Sequence, residues 1–280
     1  MSQQQKLDLF KIGLEWGYEG DYDPSNWCAK YPHASGTAQS PIDIQTNDAV
    51  YNEDLVKNPL TFSYDQDNFL TILNTGSSFK ISGSENANSS VIGGPVQDIH
   101  KFLQFHMHWG KDDTIGSEHL IDGKSYAGEL HFVNWNTQKY SSGGEAASSN
   151  NHDGLIVLGV MVQVGAHNTE FDKILNNFDE ISLRDKKTKL KESLDVKKLF
   201  PNDTSSYWNY DGSLTTPPCT QCVQWVVFKE PIEISIEQLN RLRDLYQCKE
   251  ESDCCDAYRL NQNFRPVCDL NGRKISKSFN

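Results

Sequence analysis

The sequence lacks a long hydrophobic run. Its strongest apolar stretch, Leu155–Val162, is eight residues long, whereas a helix that spans a bilayer needs about 18 or more. We therefore expect no membrane span, and an apolar run this short predicts a buried strand. The N-terminal residues Met1–Leu7 also lack the apolar core of a secretory signal.

Positive charge is in short supply. The 280 residues carry 26 Lys and Arg against 38 Asp and Glu, so the formal net charge is -12. Nucleic acids and anionic membrane surfaces select for basic patches, so this balance argues against both as partners. A surplus of acid is also compatible with salty surroundings, and we keep salt tolerance as a hypothesis.

No repeat, linker or break in composition divides the chain. A chain of this length can bury one large core, so we expect a single domain over 1–280, with an N-terminal extension at 1–15 and a C-terminal segment at 266–280. Short alternating stretches predict strands. The expected fold class is mainly β, or α+β by content: one large, mostly antiparallel twisted sheet with short peripheral helices.

Helical periodicity is scarce as well. Two stretches place apolar residues on one helical face. One is Thr169–Phe178, with Thr169 as the predicted cap, and the other is Ser235–Tyr246, which begins with a Ser-x-x-Gln capping box. Residues 141–152 are rich in Ser, Gly and Asn and predict a flexible surface loop.

Cysteine, by contrast, is plentiful for a chain that has no Cys-rich metal motif. Seven cysteines indicate disulfides and an oxidising compartment; they are Cys28, Cys219, Cys222, Cys248, Cys254, Cys255 and Cys268. The absence of a signal core conflicts with this indication, and a chain that begins at its mature N-terminus would reconcile the two. We therefore expect an extracellular or other oxidising location.

Two histidines, His106 and His108, flank one residue in an apolar, strand-like stretch. Side chains at i and i+2 of a strand share a face, so both imidazoles can reach one small cation. Taken alone, the pair fits two half-buried histidines bonded to backbone carbonyls at least as well. His131, in a second strand-like stretch, supplies a third nitrogen, and three nitrogens with a vacant fourth position describe a catalytic zinc site.

Each ligand stretch also carries an acceptor two residues before a histidine. Gln104 precedes His106 and Glu129 precedes His131, so each acceptor lies on the face of its histidine. Each can accept the ring N–H that points away from the metal. A polar residue on a wet strand face explains either one alone, but the two together favour a metal site.

These motifs closely resemble those of the α-class carbonic anhydrases. The matching stretches follow the order of that family from about Trp16 to Arg265, which is nearly the whole chain. They are Gln39–Ile44, Gln104–Gly110, Ser117–His119, Glu129–Thr137, Tyr207–Pro218 and Asn263–Pro266.

The resemblance implies a zinc lyase with one catalytic Zn²⁺ ion, which reversibly hydrates carbon dioxide to bicarbonate and a proton by attack of zinc-bound hydroxide. It assigns Thr215 to orient the hydroxide, Glu118 to accept the Thr215 proton, and Tyr18 to a network of water molecules. Asn263 would support the ligand histidines from outside. Anions and sulfonamides would inhibit such an enzyme, and activated esters would be weak substrates.

The same resemblance implies a dry pocket for a nonpolar substrate. Thr216 would contact bicarbonate, and four apolar side chains would form the wall. From sequence alone, ordinary sheet core explains those four better. They are Val133, Val157, Leu214 and Trp225.

One position departs from the family. Its fastest members carry a proton-shuttling histidine where this chain has Ser77. Serine does not titrate near neutral pH, so we expect turnover to depend on external buffer.

The resemblance also implies a disulfide between Cys28 and Cys219, which would brace the loop of Thr215 and stabilise the fold by about 2–5 kcal/mol. The pairing of Cys248, Cys254, Cys255 and Cys268 stays open, and Cys222 is expected to be a buried free thiol.

The remaining histidines receive no chemical role. His119 follows Glu118 directly, yet the resemblance makes it structural. The others have no motif support and are expected at the surface or in the core; they are His33, His100, His152 and His167.

Alternatives to this enzyme remain. One is a catalytically weak binding module that resembles carbonic anhydrase, although such proteins typically lose a ligand histidine. A zinc-storage protein would leave Glu118 and Thr215 without a reason to accompany the ligands. A zinc peptidase would need a His-Glu-x-x-His helix, which the sequence lacks. The oligomeric state stays open.

Overall fold

The structure, a computed structural model, describes residues 12–84 and 88–280. The expected N-terminal extension at 1–15 falls mostly outside the described residues. The strands are β1 (Asp43–Ile44), β2 (Val50–Tyr51), β3 (Thr61–Ser63), β4 (Phe69–Asn74), β5 (Phe79–Gly83), β6 (Ser90–Gly93), β7 (Val96–Trp109), β8 (Leu120–Ile121), β9 (Gly128–Asn136), β10 (Leu155–Val164), β11 (Lys187–Lys189), β12 (Tyr207–Gly212), β13 (Val223–Phe228), β14 (Ile232–Ile234) and β15 (Ser276–Lys277).

The helices are short. The α-helices are α1 (Glu53–Lys57), α2 (Gly143–Ser148), α3 (Thr169–Leu175) and α4 (Ile236–Leu242). The 3-10 helices are Gly20–Tyr22, Pro24–Ala29, Pro32–Ser35, Gln66–Asn68, Val196–Leu199, Glu251–Asp253 and Asp256–Tyr258. Even α3 and α4 have only seven residues each, and in the two described ranges no helix has the length and apolarity to cross a membrane.

Thirteen of the strands in the described residues form one sheet. Neighbouring strands follow the order β11-β4-β5-β7-β9-β10-β13-β12-β15-β2, while β14 pairs with β10 and β6 pairs with β3 and β7. Most pairs are antiparallel, but β10 runs parallel to β13 and β14, and β15 runs parallel to β2. The expected large twisted sheet with short helices is confirmed, and the sheet is mixed rather than purely antiparallel.

Apolar clusters cover both faces of the sheet at its centre. Along β10, Ile156 and Leu158 belong to a large cluster, whereas Leu155 and Val157 belong to a smaller one. This division follows from the two-residue period of a strand, and it explains why the apolar run of β10 is continuous. We call the two sides of the sheet the large-core face and the small-core face.

A β-bulge divides β7. The register of β7 with β9 skips Leu103, between Phe102 and Gln104. Phe102 and Phe105 consequently both pack on the large-core face, although they are three positions apart and would point to opposite faces of an unbroken strand. Even-numbered side chains of β7 therefore point to the large-core face before the bulge and to the small-core face after it.

Two local expectations are wrong. Residues 141–152 contain α2 instead of a continuous loop, because the Ser142 side chain caps the helix by accepting from the Glu145 amide. Helix α3 is capped by Asn168 and not by Thr169, since the Asn168 side chain accepts from two amides of the first turn. The capping box expected at the start of α4 is confirmed.

The expected disulfide between Cys28 and Cys219 is absent, and both residues are free thiols. Cys28 is exposed, with its Sγ 3.9 Å from the Ser25 carbonyl oxygen, whereas Cys219 is completely buried. The two side chains therefore lie in different surroundings. A disulfide instead joins Cys248 to Cys254, and it is compatible with an oxidising compartment.

Candidate metal centre

Three histidines converge on the small-core face, where β7 and β9 meet. His106 lies directly opposite His131 in the antiparallel pair, and His108 follows two residues along β7. One ligand nitrogen of each lies within 4.8 Å of the other two, and the ring centroids are 4.7–5.3 Å apart. The strand register and the alternation of side chains are enough to bring the three together.

The two histidines of β7 are each held by the outer ring nitrogen. Nδ1 of His106 lies 2.9 Å from Oε1 of Gln104, on the same strand. Nδ1 of His108 lies 2.7 Å from the carbonyl oxygen of Asn263, which is distant in sequence. Both nitrogens face acceptors and therefore carry the ring proton. The Nε2 atoms are left with lone pairs.

His131 is held the other way round. Its Nε2 lies 2.8 Å from Oε1 of Glu129, so Nε2 carries the proton and Nδ1 keeps the lone pair. The three nitrogens that face the centre are thus one Nδ1 and two Nε2 atoms. In each ring an acceptor on the opposite side fixes the tautomer, an arrangement typical of metal-bound histidines.

Burial keeps the three rings neutral. It lowers the pKa of His108 to about 3 and lowers the pKa of His131. The pKa of His106 falls well below its usual value, again chiefly through burial and then through His108 and His131. Nε2 of His108 is buried without a hydrogen-bond partner. Three neutral nitrogens directed at one point fit Zn²⁺, with bonds of about 2.0–2.1 Å.

Glu129 makes four hydrogen bonds at the back of this centre. Its Oε2 accepts from the backbone N–H groups of Glu118 and His119, at 3.0 and 2.8 Å. Its Oε1 lies 2.7 Å from Nδ1 of His119 and 2.8 Å from Nε2 of His131. Burial opposes ionisation, yet the two histidines hold the pKa of Glu129 well below its usual value.

His119 lies behind the centre and extends its hydrogen bonds. Its Nε2 lies 2.6 Å from the Tyr210 hydroxyl, which donates to the Ser40 hydroxyl at 2.8 Å. His119, Glu129 and His131 also form a group of ligand-type atoms within 4.8 Å, but these atoms already bond to one another. Sequence reasoning missed Tyr210 and Ser40; both lie in the matched motifs, which gave them no role.

Glu118 is buried beside the ligands. Its Oε1 accepts from the Arg265 backbone N–H at 2.9 Å and lies 3.3 Å from Nδ1 of His108, while its Oε2 has no hydrogen-bond partner. Burial raises the pKa of Glu118 well above its usual value, and Thr215 and Arg265 oppose the rise. Thr215 is therefore close enough to act on the carboxylate, although its geometry falls short of a full hydrogen bond to Oε2.

Thr215 lies in a tightly closed loop. The Leu214 N–H donates to the Thr220 carbonyl at 3.0 Å, which closes the chain around Thr215. Further along, Cys219 adopts a positive φ of 62°. Thr215 is 4% exposed and Thr216, next to it, is half-buried. The loop thus presents one buried and one partly open hydroxyl in succession.

The four side chains expected to form the pocket wall all lie in or against the cluster of the small-core face. Trp225 contacts a ligand, since its ring centroid lies 4.7 Å from that of His131. Val133 and Val157 lie opposite each other on β9 and β10, and Leu214 is half-buried. Ordinary core packing predicts the same burial, so burial alone does not distinguish a pocket wall from core.

Ser77 and Tyr18 are linked to the centre through its neighbours, Asn263 and Glu118. The Ser77 carbonyl, in the turn between β4 and β5, accepts from the Asn263 side chain at 2.8 Å, and the Ser77 hydroxyl lies 3.1 Å from that of Thr75. The Tyr18 hydroxyl is buried without a partner. Burial, and after it the charge of Glu118, raises the pKa of Tyr18 well above its usual value.

Arg265 is a further residue that sequence reasoning did not single out. Its backbone N–H bonds to Glu118, and its guanidinium donates to the Gln39 side chain at 2.9 Å and to the Ser40 carbonyl at 2.8 Å. It therefore ties the carboxylate of the centre to the segment before β1. The only signal was the motif Asn263–Pro266, in which no role was assigned to the arginine.

Sequence comparisons identify relatives that share this chain's length. The sequence model of the eukaryotic-type carbonic anhydrases matches residues 22–279. Carbonic anhydrase 1 of the mouse, Mus musculus, is 41% identical over 266 residues, which cover 95% of this chain and 98% of the mouse protein. The matched range contains the positions of all three histidines, Glu118 and Thr215.

Proposed function

We propose, from the premise that this chain belongs to the eukaryotic-type carbonic anhydrase family, that His106, His108 and His131 hold one Zn²⁺ ion at which carbon dioxide is hydrated. Membership makes the protein a carbonic anhydrase, an enzyme of carbon dioxide hydration, and the family generally uses zinc. The proposal concerns which residues of this chain perform each part of the reaction.

One observation carries the proposal. Three neutral imidazole nitrogens point at one place, while the opposite nitrogen of each ring is hydrogen-bonded. Neutral ligands would leave the charge of a bound Zn²⁺ ion undiminished, and a set of three protein ligands is typical of a catalytic zinc site. A Zn²⁺ ion bound there supplies a nucleophile by lowering the pKa of water toward neutrality.

Thr215 orients the nucleophile in this proposal. Its hydroxyl has one proton to donate, and the free Oε2 of Glu118 is the acceptor beside it. With that proton committed to Glu118, the Thr215 oxygen accepts the O–H of the nucleophile and directs a lone pair at the substrate carbon. Burial alone favours protonated Glu118, and the charge of a bound cation favours the ionised form that this role needs.

The apolar side chains beside the ligands form the substrate pocket. Val133, Val157, Leu214 and Trp225 exclude water from one side of the centre, which suits a nonpolar substrate that leaves as an anion. The half-buried Thr216 contacts the bicarbonate product. The contact of Trp225 with His131 supports this position for the wall.

Proton release is the weak step of the proposed cycle. Ser77 occupies the shuttle position, and a serine hydroxyl does not titrate near neutral pH. Tyr18 supports a water path, because its buried hydroxyl has no protein partner and lies near Glu118. We therefore expect the maximal hydration rate to rise with buffer concentration, and a rate independent of buffer would show that another shuttle exists.

The remaining parts of the proposal follow from the same chemistry. Sulfonamides and small anions would inhibit by binding to the ion that the three histidines hold, and activated esters would be weak alternative substrates. The enzyme acts as a single domain in an extracellular or other oxidising location, for which the disulfide between Cys248 and Cys254 is the support. Its surplus of acidic residues supports retention of activity in salt.

The proposal is tested by zinc content and stopped-flow carbon dioxide hydration on the same preparations. We expect one zinc per chain and sulfonamide-sensitive hydration in the wild type, and loss of both zinc and activity in His131→Ala. His167→Ala is the matched control, since His167 is exposed and bonds only to Asp172 in the described contacts, at 2.7 Å.

The competing function is a binding module that holds zinc without turnover. If the wild type binds one zinc per chain but hydrates carbon dioxide no faster than buffer without protein, the binding module is favoured and the proposed mechanism is refuted. Hydration that survives in His131→Ala would instead show that the three histidines are not the ligand set.

A further inference from the structure

A second cavity, of about 420 Å³, lies on the other side of the sheet from the three histidines. Its lining includes two imidazoles, two carboxylates, an amide and an ammonium group. They belong to Asp98, His100, Asn136, Lys139, His152 and Asp153. None of these side chains has a role in the proposed carbon dioxide chemistry.

The bulge in β7 explains why a histidine of the same strand lies there. His100 precedes the skipped residue Leu103, and it has the same parity as Val96 and Phe102, which pack on the large-core face. His106 follows the bulge and points to the small-core face. The sheet therefore separates His100 from the metal centre, although His100 and His106 are only six positions apart in sequence.

His100 has the hydrogen-bonding pattern of a metal ligand. Its Nδ1 lies 3.0 Å from the Asp98 carbonyl oxygen, whereas its Nε2 is buried without a hydrogen-bond partner. The side chain is 1% exposed, and burial lowers the pKa of His100, against the opposing effect of the Asp98 and Asp153 carbonyls. His108 at the metal centre has the same arrangement, with Nδ1 on a carbonyl and Nε2 unpartnered.

A second unpartnered nitrogen lines the same cavity. Nδ1 of His152 is buried and has no hydrogen-bond partner. Asp98 adds a carboxylate, of which Oδ2 accepts from the Asn136 side chain at 2.9 Å. The cavity thus collects two ring nitrogens that lack hydrogen-bond partners and one carboxylate, which is a donor set for a cation.

The one ammonium group near the cavity is already engaged. Nζ of Lys139 lies 2.7 Å from Oδ2 of Asp153 and 3.8 Å from Oδ2 of Asp98. Oδ1 of Asp153 accepts from the Tyr140 hydroxyl at 2.7 Å. Lys139 therefore pairs more closely with Asp153 than with Asp98, which makes Asp98 the carboxylate more open to a ligand, and the two carboxylates do not favour an anion.

We propose that this cavity is a second metal site, which binds a divalent transition-metal ion through Nε2 of His100, Nδ1 of His152 and the Asp98 carboxylate. Imidazole with carboxylate suits copper, zinc and nickel, and Cu²⁺ binds such donors most strongly. Water completes the coordination, because the cavity is open to solvent on one side.

The site has to tighten before it binds. The groups of three ligand atoms within 4.8 Å that occur in the described parts of the chain both lie at the metal centre. His152 and Asp98 are only half-buried, so their side chains can turn toward the fixed Nε2 of His100. The cost of this ordering makes the second site weaker than the preformed cluster of three histidines.

The test uses zinc-loaded enzyme titrated with Cu²⁺, with retained zinc measured at each point. We expect one further equivalent of Cu²⁺ to bind while zinc stays in place, and its electron paramagnetic resonance spectrum to show coupling to two imidazole nitrogens. His152→Ala and His100→Gln should each weaken this binding at least tenfold. Carbon dioxide hydration should be unchanged in both.

His167→Ala is the control, because it removes an exposed imidazole that is already paired with a carboxylate. Equal loss of Cu²⁺ in this control would mean adsorption to surface histidines and would overturn the proposal. No further equivalent in the wild type, or unchanged affinity in both cavity variants, would also overturn it. If His100→Gln does not fold, His152→Ala and Asp98→Asn decide the outcome on the same criterion.

Discussion

Replacement of Glu129 by glutamine tests whether the hydrogen bond from His131 to Glu129 fixes the tautomer with which His131 binds the metal. All four partners of the carboxylate are donors: two backbone N–H groups on Oε2, and ring nitrogens of His119 and His131 on Oε1. The backbone donors cannot change, so the new NH₂ group must take the Oε1 position. His131 then has to accept at Nε2, which moves its proton to Nδ1, the nitrogen that faces the centre.

The size of the effect follows from the count of mismatched donors. A buried polar group left without a proper partner costs about 1–3 kcal/mol, so two ring nitrogens facing an NH₂ group cost about 2–6 kcal/mol. The part of this free energy that comes from His131 lowers the zinc affinity, because His131 must return to the tautomer with a free Nδ1 lone pair before the metal binds. We expect Glu129→Gln to weaken zinc binding about 10–100-fold, the range typical for outer partners of metal ligands.

Competition with a chromophoric chelator measures the zinc dissociation constant, and thermal unfolding of the metal-free proteins measures stability. Glu170→Gln is the matched control: Glu170 is 1% exposed, accepts from the Asp195 N–H and pairs with Lys173 at 3.0 Å. We expect it to lower the melting temperature without changing zinc affinity. A folded Glu129→Gln protein that binds zinc within about twofold of the wild type would refute the tautomer argument, since a tenfold change is only about 1.4 kcal/mol.

Four further predictions follow from the site and the cysteines. Thr215→Val should keep full zinc content but lower kcat/KM for hydration by about 10²-fold, because the nucleophile loses its orientation; an unchanged rate in stopped flow would remove Thr215 from the mechanism. Ser77→His should raise the hydration rate at low buffer concentration by about tenfold or more, and no gain would place the proton exit elsewhere. Cys254→Ser should lower the free energy of unfolding by about 2 kcal/mol in denaturant titrations, as expected for the small loop closed by residues six positions apart. In alkylation at pH 8, exposed Cys28 should react while Cys222 does not, because burial raises the pKa of Cys222 to about 12; a disulfide-linked peptide containing Cys28 would contradict the structure.

The sheet was largely predictable because its strands obey local rules. The apolar run at Leu155–Val162 became the central strand β10, and the capping box at Ser235 formed at the start of α4. Helix α2 escaped prediction because Ser, Gly and Asn dominate the stretch 141–152, and only the hydrogen bond that the Ser142 side chain accepts from the Glu145 N–H reveals the helix. The pairing of Cys28 with Cys219, which the family resemblance implied, is wrong for this structure because both thiols are free. A disulfide depends on the direction of two side chains, which a resemblance in sequence does not fix.

The metal centre also has parts that the sequence predicts and parts that it does not. The faces of His106, His108 and His131, and the positions of Gln104 and Glu129, follow from the two-residue period of two adjacent strands. The partner of His108 does not, since the Asn263 carbonyl is 155 residues away in sequence. Hydrogen bonds from distant backbone atoms carry no local signal, and the same holds for the Arg265 N–H on Glu118.

The bulge at Leu103 makes one strand, β7, present its even-numbered side chains on different faces of the sheet before and after it. His100, His106 and His108 are spaced by even numbers, so an unbroken strand would show all three to the same side as a single row of imidazoles. The bulge shifts the alternation of side chains along β7 by one residue, so His100 points to the opposite face from His106 and His108. The bulge, and not the distance along the sequence, therefore decides which face each histidine lies on. His100 consequently cannot compete with His106 and His108 for the same ion.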